Sequence, residues 1–470
     1  MTAPPAHLPS ALLGPLQAIL GQNGLITDCD EARPFGTDWT RQYDSAPAAV
    51  ALPSSTEQVV ELVRLAAAEG IALVPSGGRT GLSGGAVAAA GELVLATDRL
   101  NRIGEFNPLD RTVQVQAGVV TAELQAFAQA HGLMYPVDFA SSGSSRIGGN
   151  IATNAGGIKV LRYGMTRDWV AGLKVVTGTG ELLDLNRGLI KNATGYDLRH
   201  LFIGSEGTLG VIVEATMRLA PSPPPLQVMV VAVPALGAIM DVLHRFRAAL
   251  RLTAFEFFSE PALGQVLAHG DLSRPFASAA PYYCLVELER GDDATEATLF
   301  ELFEAAVEDG VVLDGVVSQS EAQAERLWAL RERISESIAP RTPYKNDISV
   351  RVRDIPQFLD EIDAIVGKAY PEFEVVWFGH IGDGNLHLNI LCPEDWDKDR
   401  FFTECGRVSE WVYAAVARYG GSVSAEHGVG LIKKPYLHHS RSTVEIELMR
   451  QLKRVLDPSG IMNPGKLIDG

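Results

Sequence analysis

Apolar positions recur along this chain with two periods, near 3.6 and near 2, and the alternation of the two sets out its elements. Ser54-Ser55-Thr56-Glu57 predicts a helix start, and Val59, Val60, Leu62, Val63 and Leu65 supply its apolar side up to Gly70. Residues 443–456 predict a second amphipathic helix, with Leu448, Met449, Leu452, Val455 and Leu456 on one side and a stop at Asp457-Pro458. Residues 11–20 predict a short packing helix interrupted at Gly14-Pro15. Strands are predicted at 71–74, 173–177, 182–185, 226–233, 255–258, 282–288 and 311–317, with helices at 235–250 and 321–337. Beyond residue 226, strands interleaved with helices imply an α+β domain with a largely antiparallel sheet.

Ala220-Pro221-Ser222-Pro223-Pro224-Pro225 is stiff, cannot continue either neighbour, and marks a domain boundary. The expected organisation is an N-terminal helical segment at 1–40, one domain at 41–220, a second at 226–439 and a C-terminal segment at 440–470. A length of 470 residues agrees, being too much for one core.

Composition narrows the partners. Forty basic against 57 acidic side chains give a net charge of −17, which disfavours nucleic acid and anionic membrane surfaces. The longest apolar run, 228–240, contains Pro234 and Gly237 and is too short to cross a bilayer. The 11–20 segment lacks the positive flank of a signal peptide. Cys29, Cys284, Cys392 and Cys405 show no close spacing, so neither a disulfide framework nor a thiolate zinc site is indicated. A cytoplasmic location is expected.

Three glycine-rich turns carry the first candidate chemistry. Pro75-Ser76-Gly77-Gly78-Arg79-Thr80-Gly81-Leu82-Ser83-Gly84-Gly85 follows a strand, and its backbone N–H groups can close around an anion. It is neither a P-loop nor the dinucleotide fingerprint that opens a helix. Ser141, Ser145, Arg146, Ile147-Gly148-Gly149-Asn150, Asn154 and Gly156-Gly157 repeat this chemistry, and Gly204-Ser205-Glu206-Gly207-Thr208-Leu209-Gly210 opens a strand through Ile212. Three such turns in one segment point to a single extended dinucleotide, with Arg79 and Arg146 to offset its charge.

The second candidate lies in Gly379-His380-Ile381-Gly382-Asp383-Gly384-Asn385-Leu386-His387-Leu388-Asn389, which reads as a hairpin. With Asp383-Gly384 at the turn, His380 and His387 oppose each other closely enough to share a metal ion, and Asn389 joins their face. Two packing histidines are the competing account. Ser424-Ala425-Glu426-His427-Gly428-Val429-Gly430 adds a carboxylate beside another imidazole, and two histidines with one glutamate leave positions open, as a catalytic ion requires. Arg331 and Ser335, four apart on a predicted helix, share a face that Lys345 could join, although a solvated charged helix accounts for the same pattern.

The glycine loops resemble the FAD domain of the FAD-linked oxidase family that includes vanillyl-alcohol oxidase. That resemblance implies a PCMH-type fold, two α+β subdomains with FAD between them. It also implies a C-terminal tail that returns to the flavin domain and brings Asn463 near the isoalloxazine. Some relatives join FAD to a histidine of the first loop; none stands between Pro75 and Ala86 here, so non-covalent FAD is expected.

Trp328-Ala329-Leu330-Arg331-Glu332-Arg333-Ile334, the hairpin and the Ala425-Glu426-His427 run resemble the D-2-hydroxyglutarate dehydrogenases of that family, over about residues 39–466. The hairpin and Ala425-Glu426-His427 also occur in related D-lactate dehydrogenases and glycolate oxidase subunits. Carried over, His380, His387 and Glu426 bind a divalent ion, zinc or alternatively manganese, that polarises the 2-hydroxyl. His427 takes the hydroxyl proton, and the hydride passes to flavin N5. Arg331, Ser335, Lys345 and Asn389 match substrate-binding positions, with Ser335 in place of threonine. Two cations beyond the ion favour a dicarboxylic substrate, 2-hydroxyglutarate oxidised to 2-oxoglutarate. The implied electron acceptor is an electron-transfer flavoprotein or a quinone-linked carrier, and a homodimer is left open. A D-lactate or glycolate dehydrogenase, a zinc hydrolase using the same donors, and a non-catalytic flavoprotein scaffold are the rival readings.

Overall fold

A computed structural model describes residues 8–469; the first seven positions of the 1–40 segment, and residue 470, lie outside the described residues. The fold is α+β and divides into two compact units. The first comprises residues up to Gly156, Gly164–Ser222 and Glu426–Gly470, and the second Gly157–Tyr163 and Pro223–Ala425. Two boundaries differ from those expected: a short strap at 157–163 groups with the second unit, and the chain rejoins the first at Glu426 rather than at 440.

Among its described residues, the first unit has a two-stranded sheet pairing Leu133–Met134 with Ala220–Pro221, and two main sheets. One is four-stranded, with Ala49–Ala51, Leu93–Ala96 and Leu73–Ser76 parallel and Leu25–Ile26 antiparallel at the edge. The other is five-stranded and antiparallel, with Gly210–Arg218 at its centre between Thr112–Gln116 and Val170–Thr177. Helix Thr56–Glu69 starts where the Ser55 hydroxyl accepts from Gln58 N–H and stops at Gly70, whose φ of +66° suits glycine. Its Val59, Leu62, Val63 and Ala66 are buried in one core with Leu12, Leu16 and Leu20. Those leucines come from helix Ser10–Leu20, which runs through Gly14-Pro15 without the expected interruption, because spacing by four keeps all three on one side.

The tail adds to the four-stranded sheet through Leu73 N–H to Ile461 O (2.7 Å) and Asn463 N–H to Leu73 O (2.8 Å). Helix Thr443–Leu456 turns only part of its predicted apolar side inward, with Met449, Leu452 and Leu456 half-buried. Its one fully buried residue is Lys453, whose ammonium donates to Thr208 O, Met462 O and the Asp457 carboxylate, while Val444, Leu448 and Val455 are exposed. Three acceptors offset the cost of desolvating this ammonium, which lies on the same side of the helix as half-buried Met449 and Leu456.

The second unit has a seven-stranded antiparallel sheet among its described residues, ordered Asp314–Val317, Leu226–Val233, Tyr282–Glu289, Leu252–Ser259, Val375–Gly379, Asn385–Ile390 and Tyr344–Ser349. Helix and strand packing on this sheet buries Phe258, Tyr283, Trp328 and Phe378 together. The 157–163 strap is held by its Lys159, which pairs with buried Glu287; Thr253 and Trp328 Nε1 donate to the same carboxylate. The expected 321–337 helix is two helices, Glu321–Glu332 and Ile334–Ile338, divided at Arg333.

Candidate active site

The first unit contains a cleft of about 890 Å³, open mouth included, walled by the three glycine turns. Pro75 to Gly81, Gly148, Gly149, Asn150, Glu206, Gly210 and Ile212 line it. Among the described residues, no amide from Gly77 to Gly81 donates to a protein acceptor, so these N–H groups are available to a ligand. Glycine is needed here for loop closure as much as for the ligand. A Cβ on Gly78 would meet Ser144 O at 2.3 Å, and one on Gly148 would meet the Ala117 Cβ at 2.6 Å.

The two arginines at this cleft share one acid. Arg79 makes two 3.1 Å bonds to Asp98, and Arg146 reaches the same carboxylate at 2.9 Å while donating to Gly118 O at 2.7 Å. Two cations on one anion leave this cluster one net positive charge, held in place by the shared carboxylate. Arg79 and Glu206 have φ of +59° and +52°, backbone states that non-glycine residues adopt where surrounding structure imposes them.

Glu206 ties this cleft to the His427 loop. Its buried carboxylate accepts from Val429 N–H (2.7 Å) and Gly430 N–H (2.8 Å), and burial raises its pKa against the opposing pull of those amides and Lys433. Ser83, another lining residue, accepts through its carbonyl from Leu431 (2.9 Å) and Ile432 (3.1 Å). Gly428 has φ +79°, and a Cβ there would press on the Glu206 carboxylate at 3.1 Å. His427 is thus two residues before a segment, 429–432, stitched to the cleft wall. Its Nε2 lies 3.6 Å from Glu426 Oε1.

In the second unit the hairpin register is corrected by two residues. Phe378, not His380, stands opposite His387. The 380–384 loop closes on the His380 carbonyl, which accepts from Asp383 and Asn385, and Gly382 N–H is drawn to Phe255 O (3.1 Å) on the neighbouring strand. An even shift keeps side chains on the same face, and the imidazoles still meet, with ring centroids 5.3 Å apart. Each Nδ1 faces a carboxylate: His380 is 2.8 Å from Glu256 Oε1, and His387 is 3.8 Å from Asp347 Oδ1. Asp347, directly across from His387, gives its carbonyl to Ala425 N–H at 3.3 Å, so Ala425, the last residue of this unit, is fixed beside that rung.

Lys345 pairs in register with Asn389, two residue pairs along from the Asp347 to His387 rung and so on the same face. Among the described residues it has no acidic partner, and loss of hydration by surrounding protein lowers its pKa. Arg331 is buried, places Nη2 2.8 Å from Glu256 Oε2, and lies over the Phe378 ring at 4.7 Å.

Two family models match this chain: the FAD binding domain over residues 47–186 and the C-terminal domain of FAD linked oxidases over residues 222–467. The second covers more than half of the sequence. The chain belongs to the FAD-linked oxidase family.

Among relatives of this FAD-linked oxidase, D-2-hydroxyglutarate dehydrogenase of Stutzerimonas stutzeri (strain A1501) is 59% identical over 97% of this chain and 98% of that protein. The mitochondrial D-2-hydroxyglutarate dehydrogenase of Bos taurus is 37% identical over 94% of this chain and 81% of its own length. Of solved structures, p-cresol methylhydroxylase with substrate bound superposes with a TM-score of 0.75 at 16% identity, covering 97% of this chain and 96% of that one. At that identity the likeness speaks for the fold.

Within the FAD-linked oxidase fold, several expected residues do other work than lining the cleft. Ile147 is core, and Ser145 bonds Thr121, which also accepts from Asn150 Nδ2. Asn154 ends helix Ile147–Thr153 at φ +52° and accepts from Arg167 N–H. Ser141 anchors its own turn, accepting from Ser144 and Ser145 N–H, and Gly156 and Gly157 stand at the division between the units. Asn463 ties two loops, donating to Gly85 O and Glu206 O. Arg331 and Ser335 are not brought to a common buried face: Arg331 is buried, Ser335 exposed, and the helix is divided between them. Asp98, Glu256 and Asp347 escaped the sequence reading. Glu256 had a signal, a single charge inside Phe255-Glu256-Phe257-Phe258, since a buried charge requires a partner.

Proposed function

We propose that this enzyme oxidises D-2-hydroxyglutarate to 2-oxoglutarate. The observation that carries the reading is the stitching of the His427 loop to the wall of the glycine cleft through Glu206 and Ser83, which gives a base to an FAD-sized anion site. The cleft suits non-covalent FAD: free amides, two arginines at the wall, and no histidine in the first loop. The donor set suits a divalent cation such as zinc, since His380 and His387 present their rings together and Glu426 follows the anchored Ala425. When bound, FAD supplies a hydride acceptor for C2, and the cation supplies Lewis acidity at the 2-hydroxyl.

The remaining steps fall to side chains. His427 Nε2, the ring nitrogen turned toward Glu426, takes the hydroxyl proton. Lys345, a cation without an acidic partner, binds the distal carboxylate, and Arg331 offers its Nη1 while Nη2 stays on Glu256. Asn389, buried across from Lys345, supplies a donor at the same place. A substrate with a second carboxylate is therefore favoured over lactate or glycolate, in keeping with the substrate in the relatives' names.

The test is an anaerobic panel of D- and L-2-hydroxy acids, mono- and dicarboxylic, mixed with FAD-loaded protein. Rapid flavin bleaching by D-2-hydroxyglutarate and slow or absent bleaching by D-lactate is expected. Preference for a monocarboxylate would move the assignment to a D-lactate or glycolate dehydrogenase, and a flavin inert to the whole panel would remove it.

A further inference from the structure

We infer that Glu256 is a positioning residue, one carboxylate that fixes the ring orientation of a metal-ligating histidine and the placement of a substrate cation together. The inference rests on the proposed metal role of His380. Glu256 sits in the middle of strand Leu252–Ser259 with its side chain almost wholly buried. Its two oxygens go to different groups: Oε1 is 2.8 Å from His380 Nδ1, and Oε2 is 2.8 Å from Arg331 Nη2.

A carboxylate accepts only, so the Nδ1 facing it carries the proton, and ligation falls to Nε2. Without that acceptor the ring can exchange tautomers and rotate, and the ligand nitrogen is no longer held in place. The backbone reinforces the contact. Gly382 N–H binds Phe255 O, and a Cβ at Gly382 would meet the Phe255 Cβ at 2.9 Å, so glycine is what lets the His380 loop reach this strand. On the other side, Arg331 is pinned between Glu256 and the face of Phe378, itself two residues before His380. One acid thus sets the distance between the proposed metal ligand and the proposed carboxylate binder.

The experiment is zinc titration of FAD-loaded, full-length protein against a chromophoric chelator, comparing wild type with Glu256→Gln, with flavin content and near-ultraviolet circular dichroism as fold controls. Wild type is expected to bind one zinc, and the variant to bind it about 10- to 100-fold more weakly, the usual effect of removing a carboxylate behind a ligating histidine. Affinity within twofold of wild type would overturn the role of Glu256 and leave the metal site standing. A wild type that binds no stoichiometric zinc would remove the metal site and this inference with it. Should the variant fail to fold, ¹⁵N-histidine spectra of metal-free wild type decide, with His380 assigned by its loss in His380→Asn. The Nδ1–H tautomer at His380 is expected, and the Nε2–H tautomer would overturn the inference.

Discussion

Glu206→Gln is the perturbation whose size the structure sets most directly. Two backbone amides, Val429 and Gly430, donate to the two carboxylate oxygens at 2.7 and 2.8 Å. An amide side chain keeps one acceptor and turns an NH₂ donor on the other N–H. Each bond to a charged acceptor contributes about 1.5–3 kcal/mol, and a buried donor left unmet costs about 1–3 kcal/mol. Relief of the buried charge, which already raises the Glu206 pKa, offsets part of this. A net local loss of about 2 kcal/mol follows, and at ~1.4 kcal/mol per factor of ten the His427 loop should open roughly 30-fold more often. Hydrogen exchange read on peptides spanning 426–433 measures this, with helix Thr56–Glu69 as internal control. Exchange within threefold of wild type at 429 and 430 would refute the idea that this carboxylate holds the base-bearing loop. The pH dependence has a defined sign. Because the folded pKa lies above the unfolded one, stability contributed by this group falls as pH rises through that interval, and the variant flattens the profile there.

Other outcomes follow from the same geometry. Gly78→Ala forces a Cβ to within 2.3 Å of Ser144 O, so the two cleft loops must part, and the purified variant should carry much less FAD by absorbance at unchanged secondary structure. Lys345→Met should raise KM for the dicarboxylate at least tenfold and leave kcat for D-lactate little changed. In wild type the alkaline fall of kcat/KM should occur below the usual lysine range, because desolvation makes Lys345 lose its proton early, and this limb should vanish in the variant. Removing metal with a strong chelator should suppress turnover, restorable by zinc or manganese, while FAD remains bound; full activity in verified metal-free protein would refute the Lewis-acid role.

The periodic elements were readable because local rules decide them. The helix over 443–456 and the strands at 182–185 and 226–233 were predicted at their observed limits, each bounded by turn or proline chemistry. The glycine runs marked turns that line one cleft, since glycine tolerates the backbone states and close approaches such turns need. What escaped was fixed by distant partners. Asp98 carries no local mark, yet it neutralises half the charge of Arg79 and Arg146. The hairpin register shifted because Gly382 bonds a strand more than a hundred residues earlier, which turn propensity alone cannot register. The burial of Lys453 had no sequence signal, because its three acceptors lie on other segments or beyond the helix end. The boundary at Glu426 was likewise invisible, there being no break in composition between Ala425 and His427.

Proton abstraction by His427 is the step on which the account turns, and one measurement addresses it. FAD-loaded His427→Ala is mixed anaerobically with saturating D-2-hydroxyglutarate, and the visible flavin band is followed over a single turnover beside wild type. Rapid bleaching in wild type and a loss of about 10²-fold or more in the variant, with flavin content unchanged, is the expected result. Bleaching at the wild-type rate in the variant would contradict it.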